Sequence, residues 1–245
     1  MLNATPTTTT PYRPGDSDVA RVRNLLDRAV ASAFPHARPA EVPPLTATRW
    51  AFRLAGLYHL THSTPALLEL AAERFAAAGR KILAGWARER AREESNHDLL
   101  ALRDLRDLGY DPVRVVERVR PATAMRMVEY FERSVLAFDP IGCVGYAYTV
   151  ERLAMTVREP DIRAVESVLP PGTRATRCLR VHSAAGSDGD HVADTLVAVA
   201  RLTLGERTRI AEAARDTALL CFTPDPAGPP SDAAIAELLA PCRLH

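Results

Sequence analysis

Six residues in this chain have the types and spacing to hold metal: Glu94-x-x-His97, Glu151, His182 and Asp188-x-x-His191. Glu94 and His97 stand one turn apart in WARERAREESNHDLLALRDLRDLG. The 3.6-residue period puts them on one stripe with Leu83, Trp86, Ala87, Arg90, Ala101, Leu105 and Leu108, the face that should turn inward. A carboxylate on such a face needs a partner, because buried carboxylates are almost always paired or metal-bound. Glu151 lies in the apolar run PIGCVGYAYTVERLAMTV, on a stripe with Val144, Tyr148 and Met155. Asp188 and His191 share a face with Thr195, Ala198 and Leu202. Three carboxylates and three imidazoles on three or four helices are about the inventory of two first-row metals sharing a bridging carboxylate, with positions left for oxygen and substrate. Donors of oxygen and nitrogen without thiolate suit iron or manganese better than structural zinc.

Each piece alone has a plainer explanation. Glu-x-x-His is often a solvated pair that supports its helix, and Glu89 and Glu93 flank this one. Glu151 can pair with Arg53, Arg90 or Arg126, His182 can be an ordinary histidine, and Asp188 can be the cap of the helix it opens. The weight lies in the coincidence of six on inward faces.

The elements that must position them are all helical; no strand-period run and no fixed-spacing repeat occurs. Residues 1–16 are Thr- and Pro-rich and read as a disordered tail, and 17–245 as a single helical domain. Asp16 or Ser17 caps a helix to about Phe34; others run from Thr46 to Thr61 and, restarted by Thr64-Pro65, to Gly79. One long helix then spans Trp86 to Gly109. Short helices follow at 112–119, 123–138, after Asp139-Pro140, and at 161–169. TRATRCLRVHSA begins a helical piece that Gly186 and Gly189 disturb. A long helix runs from Asp188 to Phe222, and Ser231 caps the last.

The chain has 245 residues, 47% hydrophobic and 25% charged, enough for one full core. A net charge of +1 provides no field for nucleic acid or an anionic membrane, and no apolar run is long enough to span a bilayer. The four cysteines (143, 178, 221, 242) are scattered, as expected of reduced thiols in a cytoplasmic protein, and the N-terminus lacks the pattern of a signal peptide.

Glu-x-x-His, a Glu 54 residues on, a His 31 further, then Asp-x-x-His resembles the heme-oxygenase-like diiron oxidases and oxygenases, over roughly 58–200. YHLTHSTPALLELA, EESNHDLLALRDLRDLG and LRVHSAAGSDGDHVADTL are also similar to that family. The resemblance implies a heme-oxygenase-like bundle of about seven core helices. It implies two labile ferrous ions per chain, with dioxygen as co-substrate. Glu94 and His97 would hold one iron, Glu151 would bridge, and His182, Asp188 and His191 would hold the other. Five residues (SAAGS) separate His182 from Asp188 where the family usually has three, so Asp190 stands as an alternative to Asp188, and Glu93 to Glu94. The implied function is an O2-dependent oxidation of a small carboxylate, an amino acid or its derivative, by N-oxygenation, desaturation or C–C cleavage in specialised metabolism; the resemblance allows a homodimer.

Tyr58, His59, His62, Tyr146 and Tyr148 are candidates to line the substrate pocket, and Arg180 and Arg53 to clamp a carboxylate. Rival readings are a ferritin-like diiron protein drawing on Glu69 or Glu73, a cofactorless thiaminase-like enzyme with no cysteine in an obvious site, and a non-catalytic helical binding protein.

Overall fold

A computed structural model describes residues 14–36, 43–184, 186, 188–223 and 225–244, with Asp188 described by its backbone alone. Among them are twelve α-helices and no strand; the lone β-type pairing joins Tyr110 to Arg243. The helices are α1 (Asp16–Ala31), α2 (Ala47–Ala77), α3 (Lys81–Glu94), α4 (Asp98–Asp107), α5 (Pro112–Arg118), α6 (Ala122–Leu136), α7 (Gly142–Ala154), α8 (Glu159–Ser167), α9 (Arg177–Val181), α10 (Asp188–Val199), α11 (Leu204–Phe222) and α12 (Asp232–Leu239). No described helix is long and apolar enough to cross a membrane.

The longest helix, α2, organises the bundle. Its second half buries Leu68, Ala71, Ala72 and Phe75 in a core shared with α1, α3, α6, α7, α10 and α11, so seven helices build the larger core, the expected number. Its first half buries Trp50, Ala51, Leu54 and Ala55 in a second core with α4, α5, α8, α9 and α12. Between the two halves lies the stretch from Gly56 to Thr64, and the cavity described below opens there.

Four expected boundaries differ. Asp16 lies inside α1 and Gly15 is its N-cap without a side-chain bond; Asp16 and Asp18 favour the helix start through its dipole instead. The expected restart at Thr64-Pro65 does not occur, and α2 runs through Pro65. Hydroxyls stitch that stretch to the preceding turn: Thr61 donates to the Leu57 carbonyl, Ser63 to His59 and Thr64 to Leu60, at 2.9, 3.2 and 2.7 Å. The expected helix from Trp86 to Gly109 is broken after Glu94. Asn96 adopts φ +71, a left-handed conformation that Asn tolerates, and His97 becomes the N-cap of α4. The helix expected from Asp188 to Phe222 is divided at Thr203, where a reciprocal cap with Glu206 starts α11.

Close approach holds α7 against α11. A Cβ on Gly145 would lie 2.3 Å from the Ile210 carbonyl oxygen, so only glycine permits this crossing. Thr149 reinforces it by donating to the Ala214 carbonyl at 3.1 Å.

Candidate metal centre

The break after Glu94 aims its carboxylate in two directions. Oε2 lies 2.9 Å from His97 Nδ1, and Oε1 lies 3.6 Å from His191 Nδ1. Among the described residues two groups of potential ligands meet there, each with donor atoms within 4.8 Å of one another: Glu94, His97 and His182, and Glu94, Glu151 and His191. Glu94 belongs to both. The rings of His97 and His182 meet edge to face at 4.9 Å, and His191 Nδ1 is 3.8 Å from Glu151 Oε1. Glu94, Glu151 and His191 are 7%, 8% and 4% exposed, so this donor set is assembled away from water.

The grouping differs from the one the resemblance implied. His182 sits with Glu94 and His97, His191 sits with Glu151, and Glu94 is the carboxylate common to both. His182 follows the C-terminus of α9 and His191 lies in the separate helix α10. The Asp188 side chain lies outside the described residues, and Asp190 is exposed. Glu93, the neighbour that could have replaced Glu94, faces the other side of the imidazole: its Oε2 is 3.5 Å from His191 Nε2. That is where an outer carboxylate orients a ligating histidine.

Beneath this centre lies Arg90, 1% exposed. Its guanidinium reaches Glu93 at 2.6 Å, Asp194 at 3.3 Å and Glu151 at 3.9 Å, so one buried cation faces three carboxylates. Burial alone would raise the Glu94 carboxyl; the His97 contact and the charges of His182, His97 and His191 outweigh it and hold the group below the usual range.

Hydrogen bonds anchor the segments that carry His182, His191 and Glu151. Asp104, fully buried on α4, takes Arg177 at 2.9 Å and the Cys178 N–H at 3.0 Å, which pins α9 and with it His182. Burial pushes the Asp104 carboxyl up, against the pull of those hydrogen bonds. Past His182 the chain doubles back so tightly that a Cβ on Gly186 would lie 1.9 Å from the Val181 carbonyl oxygen. His191 is tied through its carbonyl to Thr195, which accepts from Trp86 Nε1 at 3.0 Å. Tyr148 and Arg152 both donate to Asp27, at 2.8 and 2.9 Å, and fix α7 on α1.

A cavity of about 290 Å³ adjoins the centre, with Glu94, Glu151 and His182 in its wall. Tyr146 lines it as expected. Tyr148 does not, since its hydroxyl is turned to Asp27, nor do Tyr58, His59 or His62. Tyr58 stacks on His62 at 4.9 Å, His62 Nδ1 lies 2.7 Å from Asp98, and His59 Nε2 lies 2.9 Å from the Val119 carbonyl. Arg180 bonds Glu159 and Glu166 at 2.9 Å each, away from the cavity, and Arg53 is exposed. Sequence reasoning missed Leu60, Leu68, Met127, Phe131 and Cys221 as lining residues. Aliphatic residues on buried faces carry no signal that separates cavity wall from core.

No protein-family model and no curated protein sequence matches the chain. Solved structures similar to this chain include two bacterial proteins. One is a domain of unknown function with a heme-oxygenase-like fold from Shewanella denitrificans OS217, with TM-score 0.61 and 15% identity over 92% of this chain and 90% of that one. The other is a TenA homolog from Pseudomonas syringae pv. tomato DC3000, with TM-score 0.59 and 14% identity over 91% and 96%. At such identities the likeness is one of fold, and the fold of this chain is heme-oxygenase-like.

Proposed function

We propose that this protein is a non-heme diiron oxidase or oxygenase that uses dioxygen on a small organic substrate. The observation that carries the reading is the position of Glu94, whose two carboxylate oxygens face two groups of donors, one with half-buried His97 and His182 and one with buried Glu151 and His191. Arg90 faces Glu151 from one side only, and the oxygen and nitrogen donors of Glu94, Glu151 and His191, gathered out of water, fit iron or manganese. Glu94, His97 and His182 would hold one ion, and Glu94, Glu151 and His191 the other. Bound ferrous iron would supply the electrons for dioxygen chemistry that no side chain here can perform.

The protein's own part is positional. Glu93 orients His191, Asp104 and Gly186 hold the His182 segment, and Arg90 supplies fixed positive charge beneath Glu151. Apolar side chains line most of the adjoining cavity. Oxygen uptake by the ferrous-loaded protein, compared with its His191→Ala variant, tests the reading. Loss of uptake in the variant is expected; uptake at the normal rate would sink the assignment.

A thiaminase-like reading has support in the TenA homolog and in Cys221, which lines the cavity against the expectation that no cysteine would. A nucleophilic thiol needs a lowered pKa, whereas burial pushes Cys221 up to about 12 beside Met127. The donors gathered around Glu94 favour the diiron reading.

A further inference from the structure

We propose that the open groove between α3 and α10 is a second ligand site, which takes a soluble molecule with a flat apolar body ending in a phosphate monoester. The groove shares no described lining residue with the cavity beside Glu94, and the proposal stands whether or not that centre holds metal. Its volume of about 380 Å³ is within the range of small-molecule sites. Three pairings set the register of its walls: Trp86 meets Thr195, Arg90 meets Asp194 and Glu93 meets His191, so the two helices run antiparallel. Lys81 opens α3 and Arg201 follows α10, and both line the groove, so they share one end of it.

The middle of the groove permits close approach. Gly85 lies inside α3, where glycine is the poorest helix former after proline. A Cβ there would meet nothing within 4 Å, so no contact inside the chain requires glycine. The missing side chain leaves a bare strip of helix backbone, walled by the exposed side chains of Ile82 and Val197, against which a ring can lie. The polar lining lacks acceptors. Arg90 is 1% exposed; its Nη2 serves Glu93 and Asp194, and its buried Nε has no hydrogen-bond acceptor. Arg201 Nε is likewise buried without one, and such N–H groups are costly to leave unmet. The acids of the groove are committed, Glu89 to Arg92 and Asp194 to Arg90. Among the described residues Lys81 and Arg201 have no ion pair, so that end carries two uncompensated cations. A lysine and an arginine fork together suit a dianionic phosphate better than a single carboxylate.

Calorimetric titration of the metal-free protein with 1-naphthyl phosphate tests the site, with 1-naphthol and inorganic phosphate as the two halves of the probe. The ester should bind about tenfold or more tighter than either half, the gain of charge-assisted hydrogen bonds made by a body already held. Of the indole N–H resonances of Trp50 and Trp86, that of Trp86 should shift on binding, since Trp86 lines the groove and Trp50 belongs to the other core. Gly85→Leu should raise Tm by roughly 2–4 °C, as a better helix former in open space. The same variant should weaken the ester on the order of tenfold, because its side chain fills the strip. A variant that is more stable and binds less has not failed to fold. Arg201→Gln should weaken the ester about tenfold and leave 1-naphthol unchanged. Equal affinity for ester and naphthol overturns the proposal, as does inorganic phosphate binding as tightly as the ester. Undiminished binding by Gly85→Leu with the Trp86 resonance unmoved also overturns it, and would place the probe in the cavity beside Glu94.

Discussion

Replacing Arg90 with methionine should expose how much negative charge the bundle gathers around Glu94. The substitution keeps the buried stem's volume and removes the guanidinium, leaving Glu93 and Glu151, formerly 2.6 and 3.9 Å from it, without their shared cation. Removing one partner of a buried pair costs about 3–5 kcal/mol, because the remaining charge stays out of water. Arg90 itself is 1% exposed, whereas Asp194 is largely solvated and adds little, so the lower half of that range, about 3 kcal/mol, is expected. For a chain of 245 residues this is a fall in melting temperature of roughly 6–12 °C. The assay is thermal unfolding followed by circular dichroism, first with a chelator and then with ferrous iron under anaerobic conditions. The deficit should shrink when metal is added, since a bound cation replaces the lost charge and stabilises by mass action. A loss under 1 kcal/mol with chelator present, or a deficit that metal leaves unchanged, would refute this account of the charges.

Three other substitutions or treatments have defined outcomes. Gly186→Ala should weaken metal binding on the order of tenfold, read by competition with a chromophoric chelator, because its Cβ must displace the Val181 carbonyl and with it the neighbouring His182. Thr203→Ala removes the cap that starts α11 and should cost about 1 kcal/mol, a drop of about 2–4 °C in Tm, with metal affinity unchanged. Cys221, with its thiol raised from 9.0 to about 12, should resist iodoacetamide at neutral pH. The thiolate is the reactive form, so alkylation read by mass spectrometry should accelerate only as pH climbs toward that value; rapid labelling at neutral pH in the folded protein would contradict the burial.

The inward stripes were legible because period alone places residues on a face. Leu83, Trp86, Ala87, Arg90 and Glu94 are all buried as the pattern predicts, and so are Val144, Tyr148 and Glu151. Caps carried their usual information: Asp111 accepts from the Val113 and Arg114 amides at the start of α5, and Ser231 from Ala234 at the start of α12. The Thr203–Glu206 capping box was equally present in the chain, but the apolar residues on both sides masked it. The break at Asn96 had no comparable signal, because Asn-His after a charged run fits helix as well as turn. That break shapes the centre: it sends the two oxygens of Glu94 toward different histidines, a relation that spacing along one straight helix could not reveal. Pocket residues were the least legible. Tyr58, His59 and His62 looked functional by type, yet they satisfy one another and their surroundings off the cavity, whose walls are ordinary aliphatic residues.

The most direct test of the shared carboxylate is metal stoichiometry by anaerobic ferrous titration of the wild type, His97→Ala and Glu94→Ala, with folding checked by circular dichroism. Glu94 as the common ligand predicts about two ions per chain in the wild type, about one in His97→Ala, and none held tightly in Glu94→Ala. A wild type that takes up no iron, or a Glu94→Ala variant that binds as much as the wild type, would contradict the account.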